Sequence, residues 1–396
     1  MSLFNDYRRL DVASRYYVIF MACFWLMGYF SAFWRRVGVP EEGVLLANTI
    51  LIFLFALISH KKWRYHIRVT DLIFYFLLAT VYILNSVIYP QTDKLISKYF
   101  VNIVLATLPF LFFGLIFKHK GNERWIILLS QFAVVLNIFY SLLSSSDVNN
   151  EEQMNRAYIL LPSVLYLSWT LLEHFNFVNF TFFILGVFTE ISMGTRGPFV
   201  CIIFFIGTYL FFFKKYKHHY TARITIIVVA MLLYSLSTPF AYMMVGILSM
   251  VGKSTRIFDL MLDDALVNYE NSNGRDFIHE QLFSKLNTTV GEGGFGLLAD
   301  RLVVGYAHNI FVELWYAYGY IIGSAVIVAF LLLVLSLLIK SNDRDTKVVA
   351  LLFFTASFVK LLFSGTFLTD GLFFFLIGFC INGIRKAKND QKIVRM

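Results

Sequence analysis

Apolar residues along this chain come in near-continuous blocks of about 16–25 residues, separated by short polar connections. Within a block the side chains are apolar all round. There is no polar stripe at the 3.6-residue period of an amphipathic helix, and no alternation at the two-residue period of a strand. About 20 such residues make a helix long enough to cross the ~30 Å hydrocarbon core of a bilayer. The pattern predicts an all-α polytopic membrane protein with about twelve transmembrane helices. They fall near residues 16–34, 43–58, 70–89, 98–117, 125–143, 157–172, 176–193, 197–213, 224–250, 315–339, 346–364 and 370–384. The period excludes a transmembrane β-barrel, and the all-round apolarity excludes a soluble core of this size.

Lysine and arginine set the direction of the helices, because cytoplasmic connections are enriched in them. The cation-rich connections are "HKKWRYHIR", "KHKGNER", "KKYKHHYTAR" and "KSNDRDTK", with the tail "RKAKNDQK". The connections of the other set include the acidic "SSSDVNNEEQMNR". An even number of spans with both termini in the cytoplasm fits this bias. The first apolar block is long enough to span and follows Asp6, Arg8, Arg9 and Asp11, so it reads as a retained helix, with no cleavable signal peptide.

One connection differs from the rest. Residues 251–307, between the ninth and tenth spans, fall on the external side, and their composition is that of a folded segment. "STRIFDLMLDDALVNY" and "RDFIHEQLFSKL" carry apolar residues at helical spacing, which predicts short amphipathic helices on the membrane face. "VGEGGFGLL" adds a glycine-rich turn. The whole chain, residues 1–396, reads as one transmembrane domain with this segment as its large periplasmic loop. Long loops in compact proteins usually carry function, so the site is expected there.

Composition changes this picture little. Hydrophobic residues make up 58% of the 396 and charged residues 15%, as expected of a polytopic chain. Cys23, Cys201 and Cys380 all lie in apolar blocks and read as packing residues. The chain has no CxxC, HExxH, P-loop or GxGxxG pattern, so zinc chemistry and ATP-driven transport lack their usual support and no metal or cofactor is expected. The net charge of +9 sits mainly in connections where topology already explains it, so no nucleic-acid partner is implied.

What remains is a set of cations on the external side. "MGTRGPF" places Arg196 at a bare junction between two spans. The long loop adds Lys253, Arg256, Arg275, Lys285 and Arg301, and Lys360 lies near the outer end of the eleventh span. "GYAHNIFVELW", just before the tenth span, holds His308, Asn309 and Glu313. Ordinary roles stay open for each. Arg196 and Lys360 suit headgroup anchoring, Arg275 and its neighbours suit the solvated face of an amphipathic helix, and His308 suits a bond to a backbone carbonyl. Convergence favours a shared role. Arginine is permanently charged and its planar fork matches phosphate bidentately, so several arginines beside an imidazole suit an anionic lipid headgroup.

The succession "EISMGTRGPF", "NGRDFIHEQLF", "GEGGFG" and "AHNIFVELWYAYGYIIG" resembles the bacterial O-antigen ligase/polymerase superfamily, multi-pass enzymes of the GT-C type. The likeness covers residues 190–325 and is nearest to the O-antigen (polysaccharide repeat-unit) polymerases. It implies metal-independent glycosyl transfer from an undecaprenyl-diphosphate-linked oligosaccharide at the periplasmic face of the inner membrane. On that reading Arg196, Arg256 and Arg301 bind the diphosphate and Arg275 is catalytic. His308 deprotonates the acceptor hydroxyl, while Asn309 and Lys360 support the site. Membrane lipids and a chain-length regulator are the further partners implied. The alternatives are an O-antigen ligase acting on lipid A-core, and a lipid-linked oligosaccharide flippase or transporter.

Overall fold

The computed structural model describes residues 12–36, 38–62, 107–143, 150–193, 196–213 and 309–394, with isolated positions 71, 76, 80, 87, 242, 245, 246 and 249. Among the described residues every regular element is a helix and there are no strands. Two helices are long and apolar enough to cross a membrane, Glu123–Ser141 and Ile310–Lys340. Shorter apolar helices run over Leu46–Ile58, Phe177–Ile191 and Gly197–Phe212. The chain is thus helical and carries segments suited to a membrane. The predicted span near 224–250 and most of the one near 70–89 lie outside the described residues, as does the whole of 251–307.

The described helices belong to two compact units, Met1–Glu123 with Gly274–Met396, and Arg124–Asn273. In the first unit, α1 (Val12–Arg36) and α2 (Glu41–Ile58) form a hairpin, tied by Asn48 Nδ2 donating to Ser31 Oγ at 2.9 Å. The short helix α3 (Leu108–Ile116) packs against α10 (Gly371–Val394) closely enough for their backbones to touch. A Cβ on Gly114 would collide with the Phe375 carbonyl and lie 2.7 Å from the Phe379 nitrogen. A Cβ on Gly378 would collide with the Leu111 carbonyl. Small residues at facing positions are how helices approach where water supplies no hydrophobic drive between them.

Rings close the sides of this contact. Phe375 lies 4.8 Å from Phe24 and 4.4 Å from Phe353, centroid to centroid, and Phe117 lies 5.3 Å from Phe375. At the end of α3 the Tyr17 hydroxyl accepts from Lys118 N at 2.6 Å and donates to Ile116 O at 3.1 Å. It satisfies backbone groups that the helix end leaves open. In the turn beyond, burial pushes the His119 pKa down, against the pull of the Glu123, Asp345 and Asp343 carboxylates. Further along α10, Arg385 holds the Asp71 carboxylate with both guanidinium nitrogens, Nη1 to Oδ2 at 2.6 Å.

The helix Ile310–Lys340, α8, is not one rod. Gly319 has φ 76° and ψ 166°, which breaks it into 310–318 and 320–340. Residues nine apart on a straight helix stand about 13 Å apart along the axis. Here a Cβ on Gly323 would lie 2.6 Å from the Leu314 carbonyl oxygen, and Trp315 Nε1 donates to Ser324 Oγ at 2.9 Å. The short segment therefore folds back on the long one. The span expected near 315–339 starts instead at 320, and 315–318 belongs to the preceding segment. Residues 320–340 rise about 31 Å, enough for a bilayer core, and Ile321, Ile322, Leu332 and Ile339 point outward from them. Gly319→Ala is expected to cost about 1–2 kcal/mol, because a left-handed backbone forces Cβ toward the next carbonyl. Thermal unfolding in detergent would measure it, and an unchanged midpoint would show that the break does not need glycine.

α8 is followed by α9 (Arg344–Phe354) and a wider helical turn, Thr355–Val359, which ends at Lys360. The chain then turns through Gly365, whose φ is +86°, and enters α10.

Among its described residues the second unit has four helices in succession, α4 (Glu123–Leu143), α5 (Asn150–Glu173), α6 (Phe177–Ser192) and α7 (Arg196–Phe212). Asn176 starts α6 by accepting from Val178 N at 2.8 Å and Asn179 N at 3.4 Å, the usual relief for open amides at a helix start. Gly186 lets α6 close on its neighbours: a Cβ there would meet Val164 of α5 at 2.8 Å and Val134 of α4 at 3.4 Å. Gln131 Nε2 donates to Asn179 Oδ1 at 2.8 Å, so α4 and α6 run parallel with α5 antiparallel to both. The ends of α4 and α6 and the starts of α5 and α7 therefore share one end of the unit.

Candidate functional site

That shared end of the second unit holds the sequence feature singled out at 193–199. Arg196 is the first residue of α7. A helix start presents unbonded amides and the positive end of the helix dipole, so a cation there adds to the attraction for an anion. Gly197 lies close against its neighbour: a Cβ on it would meet the Tyr158 hydroxyl of α5, and that side chain would have to shift. Half a turn before Tyr158, Arg156 is 5% exposed, and its guanidinium carbon lies 5.4 Å from the centroid of the Tyr140 ring of α4. A guanidinium over a phenol ring is held by cation–π attraction, which keeps it charged and oriented when partly desolvated.

Arg156 was not among the expected residues, because "SSSDVNNEEQMNR" reads as an acidic connection. The structure starts α5 at Asn150 and draws Arg156 into the helix. The available signal is the apolar run "AYILL" directly after it. Two further polar groups lie below the same end. Glu190 of α6 is 1% exposed and Asn137 of α4 is 0% exposed, and neither has a hydrogen-bond partner.

In the first unit the structure places Asn309 and Lys360. Asn309 begins α8, and its Oδ1 accepts from Phe311 N at 2.9 Å and Val312 N at 3.5 Å. The side-chain oxygen is thus committed to the helix start, and Nδ2 is the group left to orient anything else. Lys360 Nζ donates to Asp370 Oδ2 at 2.6 Å, and Asp370 Oδ1 accepts from Phe373 N at 3.0 Å. The lysine is neutralised by a carboxylate ten positions later, across the turn at Gly365. Glu313, 3% exposed, accepts from the Thr366 hydroxyl and from Phe367 N at 3.3 Å. It pins segment 310–318 to that same turn, and Phe311 meets Phe358 at 6.0 Å between centroids.

Asn309, Glu313, Lys360 and Asp370 thus belong to one bonded neighbourhood around the 361–370 turn. Arg256, Arg275, Arg301 and His308 lie outside the described residues, as does the side chain of Arg196. Among the described residues no group of three or more His, Cys, Asp or Glu side chains is placed to hold a metal ion. The described geometry offers a helix start at α7 beside Tyr158, a buried Arg156 against Tyr140, and a braced helix start at Asn309. Comparison of the chain with protein-family models, with curated proteins and with solved structures finds no match to any of them.

Proposed function

We propose that this chain is a multi-pass inner-membrane glycosyltransferase that joins undecaprenyl-diphosphate-linked oligosaccharide repeat units at the periplasmic face. The observation that carries the reading is the start of α7. Arg196 is the first residue of a helix whose second, Gly197, lies against Tyr158 of α5, two residues along that helix from the buried Arg156. A cation at a helix start suits a diphosphate, and it acts where negative charge develops as the glycosidic oxygen leaves. The order of the four sequence motifs between residues 190 and 325 supports the same reading.

In this scheme the chain crosses the membrane about twelve times with both termini in the cytoplasm. The loop 251–307 is periplasmic and brings Arg256, Arg275 and Arg301 to the diphosphate. His308 takes the proton from the acceptor hydroxyl. The acceptor oxygen then forms its bond to the anomeric carbon as the bond to the diphosphate oxygen breaks. Asn309, fixed at the start of α8, positions the residue next to it, and Lys360 with Asp370 braces the turn that holds Glu313.

Losing a general base typically lowers rate about 10²–10⁴-fold, so His308→Ala is expected to leave only trace product. The assay is purified protein with lipid-linked repeat units and a chelator present. Full activity of His308→Ala would remove the imidazole from the mechanism, and inhibition by the chelator would point to a metal-dependent transferase. Product that forms only when lipid A-core is supplied would make the protein a ligase. Transbilayer movement of lipid-linked saccharide without extension would make it a transporter.

A further inference from the structure

The polar groups below the start of α7 leave a donor and acceptors unmet inside the second unit. Along the facing sides of α4 and α6, Gln131 bonds Asn179, and Val134, one turn further along α4, meets Gly186, two turns further along α6. From that contact the next turn of each helix carries Asn137 and Glu190. Residues three and four apart share a helix face, so Asn137 follows Val134 and Glu190 follows Gly186 onto the α4–α6 seam. Asn137 is 0% exposed and both its Oδ1 and Nδ2 are unpartnered. Glu190 is 1% exposed and both its carboxyl oxygens are unpartnered. An unmet amide or carboxyl in such a place costs free energy, so its natural reading is a group kept for a ligand.

The atoms say which chemistry fits. The carboxylate and the amide oxygen need donors, while the amide nitrogen needs an acceptor. A cation would satisfy the oxygens and leave Nδ2 unmet, and an anion, which only accepts, would leave Asn137 Oδ1 unmet. Hydroxyl groups both donate and accept, so a neighbouring pair of them meets every atom. We propose that Asn137 and Glu190 form a saccharide subsite between α4 and α6 that takes hydroxyls of the sugar next to the diphosphate. The inference rests on the proposed function, because it assumes that the start of α7 holds the phosphates.

The test compares thermal midpoints of the full-length protein in a detergent without sugar groups. Two probes are added separately, undecaprenyl diphosphate and the same lipid bearing the host's repeat unit. The wild type is expected to rise with the first probe and further with the second. Glu190→Met and Asn137→Leu should keep the first rise and lose the saccharide increment. Without ligand they should melt at or above the wild type, since each removes an unmet buried polar group. The subsite is overturned if either variant keeps the full increment, or if both melt well below the wild type, which would mark a structural role. Equal wild-type responses to the two probes would reject the subsite and leave the phosphate reading standing. No response to either lipid would reject both.

Discussion

Replacing Arg196 with alanine is expected to lower product formation about 10²–10³-fold, the usual loss when one preorganised stabiliser of developing charge is removed. The residue is the first of α7, and the amount of protein in the membrane should be unchanged. Arg196→Lys should stay impaired, because an ammonium cannot reproduce the planar two-bond grip of a guanidinium on phosphate. Arg275→Ala is expected to behave like Arg196→Ala. Rates from purified protein and lipid-linked repeat units decide the matter. If Arg196→Lys matches the wild type, the position serves as a generic charge and the diphosphate assignment fails.

The largest effect on stability is expected at the contact between α3 and α10. Gly114→Leu places a branched side chain where even one carbon would collide with the Phe375 carbonyl. Overpacking a core typically costs about 1–3 kcal/mol. The obstruction here is helix backbone, which cannot step aside by changing rotamer, so the loss should reach the top of that range. Gly378→Leu should do the same from the other helix, against Leu111 and Leu115. By contrast Gly207, which has nothing within 4 Å of an added Cβ, should accept alanine with little change. Thermal unfolding of the three variants tests the ordering, and a stable Gly114→Leu protein would show that the two helices separate at little cost.

Several helices bounded by polar connections were legible in the sequence to within a few residues, while α5 starts seven residues before the expected 157 and α10 runs ten beyond the expected 384. The blocks at 176–193 and 197–213 correspond to Phe177–Ser192 and Arg196–Phe212, and 16–34 lies inside Val12–Arg36. Apolar blocks report length, and length sets the helix. They do not report direction changes within a block, which is why the break at Gly319 was missed. A glycine in "YAYGYIIG" looks like any tolerated helix glycine until Gly323 is seen against Leu314.

The site was legible in part. Arg196 stood out because a cation at a bare junction is costly to place, and Asn309 through the motif just before the tenth span, whereas its part in starting α8 is visible only in the structure. Asp370 was not recognised as the partner of Lys360, since a pair ten residues apart has no periodic signature. Glu190 opened a motif that was noticed, yet its isolation is a property of packing. No sequence pattern announces that a buried group has no partner.

The connectivity of the two units bears on how the chain is made. The second unit is one continuous stretch, Arg124–Asn273, whereas the first is assembled from Met1–Glu123 and Gly274–Met396. The groove that Gly114 offers is emitted by the ribosome well before Gly378, and the Thr107 hydroxyl waits 261 residues for the Leu368 carbonyl. During synthesis the later-starting unit can therefore pack first, while α1, α2 and α3 remain without their last partner. A chain stopped ahead of Gly371 would leave those three helices as a quality-control substrate beside a finished neighbour.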